Sequence, residues 1–195
     1  GIQDAAEDAG ATVINFMKDE FVNIDIKGEI FDFNRYKVPK SFVDCDIFAS
    51  MPLFKTHKLT GVTLTLKNHF GCVPDDMRLK YHGVIDDALS DFLMLLKPQL
   101  VVMDGRIGLE SDGPIAGLPK KLGLLLTATN AMAADSVACR IMDFDPESIG
   151  HIKTANKRDL GPISLNNISL SGEKIEHVKD PFEKANQDSI SLMEK

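Results

Sequence analysis

Apolar residues along the chain fall either into short continuous runs or into helical spacing, and that alternation sets the first expectations. Val84, Ala88, Phe92, Leu95 and Leu96 recur at helical intervals, with Asp86, Asp87, Ser90 and Asp91 on the polar side. An amphipathic helix is therefore predicted over 84–97, stopped by Pro98. Residues 131–142 are apolar on nearly all sides behind Asn130, a favourable N-cap, and predict a buried helix. Asp145-Pro146-Glu147 combines an N-cap with proline at the first helical position and starts a further helix. Residues 2–9 predict one short helix closed by Gly10. Apolar runs at 11–16, 100–103, 122–128 and 168–170 predict strands, as does a stretch within 43–53. Residues 21–33 alternate around Lys27-Gly28 and predict a hairpin or two edge strands. The segment 105–121, which contains Gly105, Gly108, Gly113 and Gly117, predicts a long loop. Loops of that length are lids, binding loops or surface excursions.

Strands alternating with helices predict an α/β fold: a single domain over 1–172, with a largely parallel or mixed sheet flanked by helices. Residues 173–195 read as a polar, peripheral tail. In such folds ligands sit beyond the carboxyl ends of strands, which singles out the loops after Leu53, Met103 and Ala128.

Charge changes the picture at one place. The chain is acidic, with formal net charge −7, which argues against a general nucleic-acid binder. Yet no Asp or Glu occurs between Asp46 and Asp75, where Lys55, His57, Lys58, Lys67 and His69 stand among glycines, threonines and Asn68. A solvated basic face is the plain explanation. An anion held by a structured loop is the sharper one, because fixed positive groups focus field on a small site whatever the net charge. Lys55, Thr56, Lys67, Asn68 and Gly71 are the candidate ligand-binding residues. If 60–68 is helical, its N-terminus adds backbone donors. His57, Asp104 and Asp135 are the candidate catalytic residues. Asp104 ends a predicted strand, where a carboxylate either caps the next turn or serves a site. Asp135 lies inside an apolar helix, so it requires a partner, such as Arg140, Lys67 or an amide. His57, His69 and His82 form a candidate metal set or proton-transfer set, at a spacing that matches no zinc signature. Cys72, beside the basic segment, is the thiol whose pKa that segment would lower if any were lowered, but plain packing is its expected role; Cys139 reads as a small core residue.

The three cysteines are far apart and contain no C-x-x-C, so no iron–sulfur cluster is expected on this chain alone. Their odd number favours a reducing compartment, and the first residues show no signal peptide, so a cytoplasmic location is expected. No apolar run approaches the length of a membrane span, so no membrane partner is expected.

The run MPLFKTH…TGVTLTLKNHFGCVP, with the His82 region, Asp104-Gly105, Asp112-Gly-Pro-Ile-Ala-Gly and Asn130-Ala-Met-Ala-Ala-Asp135, resembles the signature of domain-of-unknown-function family 362. The resemblance spans roughly residues 1–172. Members of that family often carry ferredoxin-type iron–sulfur modules, so it implies a redox-linked or metal-linked setting and a ferredoxin-type protein as a partner. Here the ferredoxin cysteines are absent, Asn130 stands where relatives carry Asp, and the chain begins where the family's domain is already under way, so an upstream portion is expected. Together these readings point to an enzyme domain that binds a small anionic substrate or cofactor. The alternatives are a non-catalytic anion- or metal-binding module, or a partner that docks a ferredoxin.

Overall fold

The computed structural model describes residues 1–25 and 35–186. Helix α1 (Ile2–Asp8) ends as predicted at Gly10, which adopts φ +84. The predicted strand over 11–16 does not form; the chain runs irregularly into a 3-10 turn at Phe16–Lys18. Strands β1 (Phe21–Asp25) and β2 (Arg35–Pro39) pair antiparallel as their own sheet. The predicted Lys27-Gly28 turn lies outside the described residues. Helix α2 (Lys40–Val43) follows.

The main sheet is mixed and has six strands. Its axis is β6 (Leu100–Glu110). Along one edge of β6 run β3 (Ala49–Ser50) and β4 (Leu53–His57), both parallel to it, and β5 (Gly61–Val62) returns antiparallel on β4. Along the other edge run β8 (Leu124–Ala128) and β7 (Leu118–Lys120), both antiparallel. This corrects two expectations. Asp104 does not end a strand: β6 continues through it to Glu110, and β7 takes a further part of the segment read as a loop over 105–121. The glycines there serve close packing. A Cβ on Gly105 would stand 2.9 Å from the Phe54 ring and from a Leu124 methyl, and one on Gly108 would stand 2.7 Å from the Phe54 carbonyl oxygen.

Short helices α3 (Leu64–Asn68) and α4 (Asp75–His82) precede α5 (Ile85–Leu95), and α6 (Ala131–Ile141) follows β8. The last two match their predicted spans to within a residue or two. Asn130 caps α6 through Oδ1, which accepts the Ala133 amide at 2.9 Å. Asp145 Oδ1 accepts the Glu147 amide and opens a 3-10 turn at Pro146–Ser148, which leads into α7 (Gly150–Lys157). The run 168–170 forms no strand.

One core packs Phe54, Val101 and Met103 of the sheet against Met132, Val137, Ile141 and Ile152 of α6 and α7. Ile175, in α8 (Ile175–Val178), and Phe182 are also buried in it. A second core gathers Tyr36 and Val38 of β2 with Phe70, Tyr81, Leu89 and Phe92. Asp91, at 0 % exposure, ties this second core to α7: it accepts the Tyr36 hydroxyl and the Arg158 guanidinium. The other face of the main sheet is open among the described residues, with Leu53, Arg106 and Leu125 exposed. Among the described residues no helix is long and apolar enough to cross a membrane.

Candidate functional site

The basic residues lie on the strand rather than after it, which corrects the reading of a loop behind Leu53. Lys55 and His57 are two apart on β4, so their side chains emerge on one side of it. Thr56 lies between them on the other side and is fully buried. Its hydroxyl donates to the Ser111 carbonyl at 2.7 Å, so it anchors the 109–113 segment rather than a ligand. The β4–β5 turn brings the chain back to α3, and Lys67 is delivered from the last turn of that helix.

Helix α3 is only five residues long and has no side-chain N-cap of its own. Leu64, its first residue, sits at φ +46, an uncommon backbone for a branched residue. The cap comes from outside. Asp135 on α6 accepts the Thr65 amide at 2.8 Å and the Leu66 amide at 2.9 Å. Asp135 is fully buried, and burial pushes its carboxyl up to about 7 against the opposing pull of those two amides. Its role is therefore to position the helix that carries Lys67, by means of the amide partnership named among the sequence alternatives.

Lys67 retains 7 % of its surface, and its Nζ lies 3.7 Å from the centroid of the Phe70 ring. Among the described residues it makes no hydrogen bond or ion pair with a carboxylate, and neither does Lys55. Burial, with the charges of Arg78 and Lys55 nearby, holds the Lys67 ammonium down at about 8. Burial lowers Lys55 as well. His57 faces the same charges: burial first, then Lys67, Lys55 and His82, bring it down to about 3. Its Nδ1 accepts the Leu59 amide at 3.1 Å, which leaves the neutral ring's proton on Nε2.

His151 on α7 joins this group and was missed in the sequence. It is fully buried, neither ring nitrogen has a hydrogen-bond partner among the described residues, and burial followed by Lys67 and His57 lowers it to about 3. Its Nδ1 is 4.0 Å from Asp86 Oδ1. The Asp86 carboxylate also accepts the His151 backbone amide at the start of α7. A Cβ on Gly150 would overlap that carboxylate, at 2.0 Å from Oδ2. His151 stands more than eighty residues from the basic segment, so no local spacing links the two.

The remaining candidates divide. Asn68 is exposed, and Gly71 is exposed, its carbonyl taken by Arg78 Nη2 at 3.3 Å. His82 closes α4 and stacks on Phe70 at 5.9 Å, close enough to act on His57. His69 is buried against Phe48, at 5.2 Å between rings, and does not join them. Among the described residues no group of three or more His, Cys, Asp or Glu could hold a metal ion, so His57, His69 and His82 form no such set. Asp104 is held by Arg106, with Nη2 at 2.8 Å and Nε at 3.1 Å, and makes no bond to Lys55, His57 or Lys67. Burial pushes the Cys72 thiol up to about 12, in keeping with its packing role rather than with a thiol activated by the basic segment.

Two cavities among the described residues are lined by other side chains. One of about 740 Å³ runs between β8, α6 and the 167–178 segment. A polar one of about 420 Å³ opens beside the cluster, between the 59–61 turn, Asp86 and the start of α7. Neither is lined by Lys55, His57 or Lys67.

Comparison with known proteins bears on identity. No solved structure matches the chain. A thylakoid-associated protein, sll1697, of Synechocystis sp. (strain ATCC 27184 / PCC 6803 / Kazusa) is 29 % identical over 137 residues. That similarity covers 67 % of this chain and 43 % of the relative, so the chain spans less than half the length of that curated protein. The family model for the domain of unknown function DUF362 matches residues 1–140, the stretch that delivers Lys55, His57, Lys67 and Asp135, and the chain belongs to that family.

Proposed function

We propose that this chain is an enzyme domain that binds a small anionic substrate or cofactor at Lys55, His57 and Lys67. One observation carries the reading. Two lysines from different segments stand beside each other and beside two histidines, one of the lysines is buried, and no described carboxylate neutralises either. A buried charge is ordinarily paired, because leaving water without a partner is costly. Mutual repulsion adds to that cost. A bound anion supplies the missing charge and relieves both terms. Asp86 is committed to the start of α7, where it faces His151.

The neutral state of His57 suits an enzyme better than a simple ion trap. With Nε2–H as donor beside two fixed charges, it can stabilise developing negative charge on a substrate oxygen without itself ionising.

The test is thermal denaturation of the whole chain in inorganic phosphate, sulfate and small carboxylates, repeated for Lys55→Met and Lys67→Met. A ligand at 100 times its Kd stabilises by about 2.7 kcal/mol, which is well resolved as a rise in Tm. At least one of these anions should raise Tm, and both variants should lose the effect. If none does so beyond what chloride at equal ionic strength produces, the reading fails.

A further inference from the structure

The polar cavity of about 420 Å³ beside α7 brings together two opposite charges from distant parts of the chain. Asp86, in the first turn of α5, lines it, and so does Lys184, near the end of the described residues. Each is held in place. Asp86 Oδ1 lies 4.0 Å from His151 Nδ1, and the carboxylate accepts the His151 backbone amide. Its side chain still keeps 45 % of its surface exposed.

Lys184 belongs to the stretch read from the sequence as a peripheral tail, yet the backbone around it is tied to the end of β6. The Ser111 amide donates to the Glu183 carbonyl at 2.8 Å. The Glu183 amide donates to Glu110 Oε2 at 3.0 Å, and the Asn186 amide donates to Asp112 Oδ1 at 3.3 Å. Lys184 Nζ lies 5.5 Å from the centroid of the Phe144 ring, which lines the same cavity.

Neither charge is neutralised. Lys184 has no carboxylate partner among the described residues, and Asp86 forms no ion pair with a lysine or arginine there. The imidazole facing Asp86 is uncharged at neutral pH, because His151 is held at about 3. An anion alone in this cavity meets the Asp86 carboxylate, and a cation alone meets Lys184. A molecule carrying one charge of each sign answers both.

We propose that this cavity binds a small free α-amino acid, its ammonium on Asp86 and its carboxylate on Lys184. Pockets for small molecules run from roughly 300 to 1,000 Å³, so this one suits a molecule of few atoms. In so small a molecule the two charges lie close together, as they do on one α-carbon. Leu59, Phe144 and Ile149 give the cavity an apolar side for a short aliphatic side chain. None of Lys55, His57 and Lys67 lines it, so the proposal stands apart from the anion reading above.

The experiment is isothermal titration of the whole chain with L-alanine and with L-valine at neutral pH. Propionate and ethylamine, each lacking one charged group of alanine, are the comparisons. At least one amino acid should bind saturably, one per chain, and both comparison molecules should bind at least tenfold more weakly than it, about what the loss of a hydrogen bond between charged groups costs. Lys184→Gln should weaken the amino acid by a similar factor. Asp86→Asn should do the same while keeping an oxygen for the α7 amide; if that variant fails to fold, Lys184→Gln and the comparison molecules decide the matter. Lys179→Gln removes a lysine that pairs with Asp143 outside the cavity and should leave binding unchanged. The proposal is overturned if neither amino acid binds, if Lys184→Gln binds as tightly as the parent, or if propionate or ethylamine binds as tightly as the amino acid.

Discussion

The Asp135 carboxylate accepts the Thr65 amide at 2.8 Å, so a side chain of α6 caps a helix seventy residues earlier in the chain. Its second oxygen accepts the next amide, from Leu66. Lys67 follows immediately.

Asp135→Ala should therefore act at two levels. It leaves two buried amides without acceptors, which costs on the order of 2–4 kcal/mol. It also frees the turn that carries Lys67. Urea unfolding should show the loss of stability, and anion titration of the folded variant should show weakened binding. A loss confined to stability would make Asp135 purely structural.

Buried histidines set the acid limit. His57 and His151 are lowered to about 3 and His69 to about 4, all by burial first. In the unfolded chain they titrate near 6.5. Between those values the unfolded state binds more protons, so stability is lost as pH falls below 6.5 toward 4. Asp135 works the other way: its raised carboxyl makes the folded state bind the extra proton between about 4 and 7. Asp86 is raised by burial as well, so three histidines oppose two carboxyls, and the net slope should follow the histidines. Urea midpoints at pH 7 and pH 5 measure it, and His69→Phe should flatten it. A midpoint that rises on acidification would contradict the assignment.

Anion affinity should depend on the opposite limb. Lys67 loses its proton near 8, so binding should hold below pH 7 and weaken above 8. His57 is already neutral throughout that range and contributes no slope. Titrations between pH 6 and 9.5, with Lys67→Arg as the comparison, should show the dependence vanish in the variant.

Arg158 bridges α5 and α7 through Asp91, with Nη1 at 2.7 Å, and reaches Asp87 with Nη2. Asp91 is fully buried, so Arg158→Met leaves its charge with only the Tyr36 hydroxyl. A loss of about 3–5 kcal/mol is expected, the usual result of removing one partner from a buried pair. Asp91→Asn combined with Arg158→Met should recover part of it, which a double-mutant cycle in urea would show.

Much of the fold could be read from local pattern, and the failures share a cause. Helices 85–95 and 131–141 announce themselves because one face or all faces are apolar and Asn130 and Asp145 mark their surroundings. β6 does not. Its open face carries Asp104 and Arg106, and Gly105 and Gly108 are there because Phe54 and Leu124 press against the backbone, a requirement set by other strands. Read locally, those glycines signal a loop. The same division holds at the site. The acid-free stretch exposes Lys55, His57 and Lys67 to a reader of the sequence, whereas His151 and Asp86 reach them only through the packing of α5 and α7. Asp104 is held by Arg106, two residues on in the same strand, a pairing that local pattern does not distinguish from a cap or a site carboxylate.

β6 is bordered by β3 and β4 on one edge and by β8 and β7 on the other. Its partners come from before and after it in the chain, so it is the seam where the two halves of the main sheet meet. It cannot reach its final hydrogen bonding until both halves are present. An opening motion that releases β5 leaves it intact and one that releases β7 frees only its 108–110 end, whereas its own release dismantles the sheet. Its amides at 101–105 should accordingly be among the last to exchange with solvent, at a free energy close to that of global unfolding. The lysine-bearing strand β4 hangs from that seam on one side only, so the candidate site can loosen while the protein remains folded.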